Sequence, residues 1–130
     1  MIPFTEQEKK ILKDRIWRLK NLYWIQDKHR RKVKLKFNNV QKRIIDKFVP
    51  FWSSGQPIRH FDLKARQVGA TTLLALIHLD DTIFRKNTKS GIIAQKKESG
   101  NHIWEIVRFA HGNMSTSVRP ELKQDTAHTL

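Results

Sequence analysis

Residues 61–81 read FDLKARQVGATTLLALIHLDD: apolar residues, a polar turn with one glycine and two threonines, then an apolar run. That outline is one by which a chain grips phosphate. In the usual pattern, G-x-x-x-x-G-K-[ST], the lysine meets the β and γ phosphates and the hydroxyl holds Mg²⁺. Aligned on Gly69, the lysine position holds Ala70 and the first-glycine position holds Lys64. Two cations remain inside the loop, Lys64 and Arg66. A loop wrapped around a triphosphate brings its first residue near its last, which places the Lys64 ammonium within reach of the β and γ oxygens. Arg66 would act on charge developing at the γ phosphate, as an arginine finger in cis. Gly69 lets the main chain approach the anion, the following helix aims its N–H groups there, and Thr71 falls at the Mg²⁺ position. The same letters, KARQVGATT, also describe an ordinary strand-to-helix turn with surface charges, and the residues alone leave both readings open.

Other groups offer less chemistry. LIHLDD, residues 76–81, imitates the acidic strand end that activates water in ATPases. It begins five residues after Thr71, so Asp80 and Asp81 would stand at the far end of the helix, about 13–15 Å from the phosphates at ~1.5 Å per residue. His29, His60, His78, His102, His111 and His128 are scattered without ligand spacing, and no metal site is assigned to them. In KHRRKVKLK, residues 28–36, Lys32, Lys34 and Lys36 are candidate contacts to DNA phosphates; lysines guarding a solvated edge strand give the same pattern.

The elements that must position these groups follow from periodicity. Thr5 and Glu8 form a capping-box signature, and Ile11, Leu12, Ile16 and Leu19 continue at helical spacing, predicting a helix over 6–20. Trp17, Leu22, Tyr23, Trp24 and Ile25 form an aromatic-rich patch beyond it. Val33, Leu35 and Phe37 alternate with lysines as in a strand with one wet face. Asn38 and Asn39 introduce a helix over 40–52, which Pro50 should end or kink. Residues 59–65 read as a strand, 71–84 as an apolar helix, 91–95 (GIIAQ) as a buried strand and 98–114 as a further helix. Strand, loop, helix, strand, helix predicts the start of an α/β domain with a parallel sheet, too few strands to stand alone.

The 130 residues suit one core, and 26 basic against 12 acidic residues leave +14, a charge that attracts polyanions. The chain has no cysteine, which excludes disulfides and thiolate metal sites. No signal-peptide core and no run of 18 apolar residues is found, so a cytosolic protein is expected.

LKARQVGATTLLA resembles the deviant Walker A segment of the large subunit of tailed-phage terminase, the DNA-packaging motor. Some members of that family carry the lysine at the front of the loop, where Lys64 stands. Residues 21–48, NLYWIQDKHRRKVKLKFNNVQKRIIDKF, are similar to the family's upstream aromatic and basic segment ending in Asn-x-x-Gln, and residues 89–114 to its next strand and helix; together the likeness covers roughly residues 15–114. The resemblance implies the start of a P-loop NTPase parallel sheet of RecA-like (ASCE) type, incomplete. An N-terminal helical and adenine-motif segment, 1–58, would precede a partial ATPase core, 59–130. It implies ATP and Mg²⁺ bound by Gln41, Lys64, Ala65, Arg66, Gln67, Val68, Gly69, Ala70, Thr71 and Thr72, with Lys64 and Arg66 in catalytic roles. Gln41 would read adenine, since a carboxamide offers the donor and acceptor that match its N6 and N7 edge. Double-stranded viral DNA, the terminase small subunit and the portal are the implied partners, with oligomers only in the assembled motor and the bacterial host cytoplasm as location. The Walker B strand, coupling motif and nuclease carboxylates of the family are absent, so turnover by this chain alone is not expected. A basic nucleic-acid-binding module, or an inactive prophage remnant, is the alternative.

Overall fold

The computed structural model describes residues 4–58, 69–85, 88–91, 93–115 and 118–119. Thr5 opens α1 (Glu6–Leu12) with a reciprocal capping box: its hydroxyl accepts the Glu8 N–H, and the Glu8 carboxylate accepts the Thr5 N–H. The predicted single helix over 6–20 is two helices. Asp14 caps a new one, α2 (Arg15–Asn21), by accepting from the N–H groups of Ile16 and Trp17 at 3.0 and 3.3 Å. The apolar periodicity runs through this break, so it could not reveal it.

β1 (Trp24–Gln26) and β2 (Lys32–Lys34) form an antiparallel hairpin in the register Trp24–Lys34, Ile25–Val33, Gln26–Lys32. The alternation seen in sequence holds along 32–37: Leu35 is buried, Val33 and Phe37 half-buried, and all three lysines exposed. α3 (Asn39–Ser54) starts with a second capping box, Asn38 with Gln41, and stops at Gly55 in the left-handed conformation at φ 70°. Pro50 neither ends it nor falls outside it, although its ring removes one backbone donor. The helix gains from its apolar face, where Ile44, Ile45 and Phe48 are buried and Phe48 meets Trp52 edge-on at 5.7 Å.

The expected parallel sheet is contradicted. Among the described residues the chain forms five helices and one two-stranded antiparallel sheet, so the α/β, RecA-like P-loop NTPase architecture is corrected to a mostly helical one. The strand expected at 59–65 lies outside the described residues. The one expected at 91–95 is absent at its described positions, 91 and 93–95, and Ile93 is 100% exposed. A short apolar run without alternation does not by itself fix a strand. The residues that would have packed on a sheet belong to α4 (Ala70–Phe84), which is apolar on most sides and buries Leu73, Ala75, Leu76, Ile77 and Leu79. It is covered instead by α2, α3 and α5 (Lys97–Gly112). Residues from both 1–58 and 59–130 contribute to one buried cluster, from Leu19 and Tyr23 through Ile44 and Leu76 to Val107 and Met114. None of the described helices is long and apolar enough to cross a membrane.

Asp80 fixes how α4 meets α2. It is fully buried, and its carboxylate accepts from Arg18 Nε at 2.9 Å, Arg18 Nη2 at 2.8 Å and the Tyr23 hydroxyl at 2.6 Å. Arg18 also donates from Nη1 to the Leu12 carbonyl at the end of α1, at 2.7 Å, and stacks on Phe84. Arg15 pairs with Asp81 while lying over the Trp52 ring at 4.5 Å. The acids of LIHLDD are therefore structural anchors in the last turns of α4.

Candidate functional site: a basic cleft at the start of α4

Gly69, the residue before α4, has φ 81°, a backbone conformation that L side chains rarely adopt. Its carbonyl accepts from Gln41 Nε2 at 2.9 Å, a contact between residues 28 apart in the chain. Gln41 is 3% exposed, and its Oε1 accepts the Asn38 N–H at 2.9 Å while Asn38 Oδ1 accepts the Gln41 N–H at the same distance. The two stretches singled out in sequence, Asn38-x-x-Gln41 and the glycine turn, thus meet directly. A carboxamide has two N–H donors and an oxygen with two lone pairs. With one donor and one lone pair engaged, Gln41 has one of each left over among the described residues.

This junction is one wall of an open cleft of about 490 Å³, within the ~300–1,000 Å³ range of small-molecule sites. Gly69, Thr72, Asn38 and Gln41 form that wall; Ile25 and Leu35 supply apolar surface; Asp27, Lys28, His29, Arg31 and Lys36 form the basic side. No side-chain cap bond to the start of α4 is made among the described residues, and the helix dipole favours an anion at that end.

Asp27 shapes the basic side. Its Oδ1 accepts the N–H groups of His29 and Arg31 at 2.8 and 2.9 Å, and Oδ2 accepts Arg31 Nε at 2.8 Å. Backbone bonds from Asp27 N–H to the Arg31 carbonyl and from Arg30 N–H to the Asp27 carbonyl, both 3.0 Å, close the turn, with Arg30 at φ 60°. The Arg31 N–H, and then the other donors, hold the Asp27 carboxyl below its ordinary range.

Of the residues predicted from sequence, the structure brings together Gln41, Gly69 and Thr72. Ala70 is buried at the first position of α4. Thr71, the expected Mg²⁺ ligand, is half-buried in the same turn, but Thr72 is the threonine lining the cleft. Lys64, Ala65, Arg66, Gln67 and Val68 lie outside the described residues. The three lysines named as DNA contacts divide: Lys32 and Lys34 each stand 4.5 Å from the Trp24 ring centroid, and Lys36 lines the cleft. Sequence reasoning did not single out Lys28, Arg31, Ile25 or Leu35 as lining one cleft with Gly69, because positions so far apart in the chain converge only through tertiary packing. No group of three metal-ligating side chains occurs among the described residues. Comparison with protein-family models, curated proteins and solved structures finds no match.

Proposed function

We propose that the chain binds a nucleoside triphosphate, ATP with its Mg²⁺, in the cleft at the start of α4, as the nucleotide-binding segment of a terminase-like DNA-packaging protein. The observation that carries this reading is the direct bond between Gln41 and Gly69. It joins the residue that the sequence resemblance assigns to adenine with the glycine assigned to phosphate, in a cleft of suitable size. The terminase setting rests on that resemblance. The site chemistry supports the ligand class independently: an apolar wall at Ile25 and Leu35 for a base, and a basic rim beside a helix N-terminus for phosphates.

Each residue would contribute a defined interaction. Gln41 retains one N–H and one lone pair for a polar edge, Gly69 keeps the main chain bare at the anion, and Thr72 adds a hydroxyl. Mg²⁺ would enter with the phosphates, since Asp27, the only carboxylate lining the cleft among the described residues, already accepts three hydrogen bonds. No described group is thereby poised to activate water, and binding rather than hydrolysis is the activity proposed.

Calorimetric titration of the chain with ATP, ADP and adenosine tests this. Affinity should fall in that order, by about tenfold or more from ATP to adenosine as the charge-assisted contacts disappear. Equal affinities for ATP and adenosine would contradict a phosphate site. Tight duplex-DNA binding that weakens steeply with salt and is indifferent to ATP would favour the basic nucleic-acid module instead.

A further inference from the structure

The glycine turn of this chain lacks the motif's lysine after Gly69, and the structure offers a replacement from the basic residues that line the same cleft. We propose that Lys28 and Lys36, carried by the hairpin, supply the positive charge that grips the phosphates of the nucleotide. The inference rests on the nucleotide reading above and names the residues that give it specificity for the phosphate tail.

Three observations support it. Both lysines line the same cleft as Gly69 and Thr72, Lys28 from the turn between β1 and β2 and Lys36 from just beyond β2. Both are exposed, and among the described residues neither has an acidic partner. Arg31, the third strong cation of the rim, is instead paired with Asp27 at 2.8 Å. The Asp27 carboxylate is itself engaged by three donors, which weakens its competition for the lysines and its repulsion of an anion. Among the described residues the rim therefore carries two ammonium groups without an acidic partner, which match a di- or triphosphate tail. The turn bearing Lys28 is held by the Asp27 bonds, so that cation is presented from a fixed backbone rather than a loose loop, reducing the ordering cost of binding. Lys32 and Lys34, one strand step away, are committed to the Trp24 face and supply an internal control.

The experiment is ATP, ADP and adenosine titration of the full chain at fixed ionic strength, with variants checked for an unchanged circular-dichroism spectrum. The double variant Lys28→Met, Lys36→Met should weaken ATP by about 30-fold or more and ADP by less, leaving adenosine unchanged, in line with the strength of charge-assisted bonds. The double variant Lys32→Met, Lys34→Met removes the same net charge and should leave ATP within about twofold, as expected for lysines that only add to a screened field. Equal losses in the two double variants would reduce the effect to overall charge and overturn the assignment. Retention of ATP affinity in Lys28→Met, Lys36→Met with its loss in Lys64→Ala would place the cation in the loop and overturn it while preserving the nucleotide reading. No ATP binding by the unaltered chain would remove that reading and the inference together.

Discussion

Asp80→Ala will lose about 3–5 kcal/mol of folding stability, the largest effect expected of any single substitution in this chain. The change strips Arg18 of both its carboxylate bonds and Tyr23 of its acceptor, in a region where Tyr23 is fully buried and Arg18 nearly so. An unpaired buried guanidinium costs far more than the ion pair contributed, because desolvation of Arg18 is no longer offset. Against a domain stability of roughly 5–15 kcal/mol, such a loss leaves the chain marginal or unfolded at 37 °C. Urea unfolding measures it. A shift under about 1 kcal/mol would mean that α2 and α4 are held by apolar contacts alone. The triple variant Arg18→Met, Tyr23→Phe, Asp80→Leu should recover much of the loss, since an apolar triad leaves no polar group unsatisfied.

The same cluster sets an alkaline limit. Burial first, then the charge and hydrogen bond of Asp80, push the Tyr23 hydroxyl well above the ordinary tyrosine range. The folded chain therefore keeps a proton that the unfolded chain releases near pH ~10. This contribution is complete below that pH and is lost as pH climbs from there toward the folded-state value. Tyr23→Phe should flatten the decline above pH ~10 while lowering stability at neutral pH by about 1.5–3 kcal/mol, the usual contribution of a hydrogen bond to a charged group.

Gly69→Ala comes second, at about 2–4 kcal/mol, and acts on stability and binding together. A methyl group there would sit 2.7 Å from Gln41 Nε2 and 3.1 Å from Asn38 Nδ2, besides forcing a left-handed backbone on alanine at φ 81°. Gln41 is not free to swing aside, because the same amide closes the Asn38 capping box. Either the Gly69 bond or the cap must yield. A double-mutant cycle with Gln41→Ala separates the causes: once the amide is gone, Gly69→Ala should cost only the backbone penalty of about 1–2 kcal/mol. Additive costs would show that the clash with Gln41 is not felt. ATP affinity should fall in Gly69→Ala even where the chain remains folded.

What was readable in the sequence divides along physical lines. Local chemistry was legible: the Thr5–Glu8 box, the alternating hairpin strand and the apolar run of α4 each declare themselves over a few residues. The break at Asp14 was hidden because Ile11, Leu12, Ile16 and Leu19 keep one period across it, although only Ile16 and Leu19 join the core while α1 buries no residue and Ile11 is exposed. GIIAQ was misread because apolar content without alternation does not distinguish a strand from a connecting segment. With that strand went the parallel sheet. Asn-x-x-Gln carried two meanings: the letters that resemble an adenine motif also spell a helix cap, and Gln41 does perform the capping role. The pairing of Arg18 with Asp80, 62 residues away, has no local signature at all. In the cleft, the cluster of basic residues over 28–36 was evident, but hairpin register sets Lys32 and Lys34 beside Trp24, and only the folded chain shows that Lys36 lines the cleft.

The most direct test of nucleotide binding at the start of α4 is a two-dimensional amide NMR titration of the isotopically labelled chain with Mg-ATP. The largest shifts should fall on Gly69, Ala70, Thr71 and Thr72 and on the Gln41 side-chain amide, with Lys28 and Lys36 following in parallel. Silence at residues 69–72, with shifts confined to the Lys32 and Lys34 face or to α5, would contradict the account.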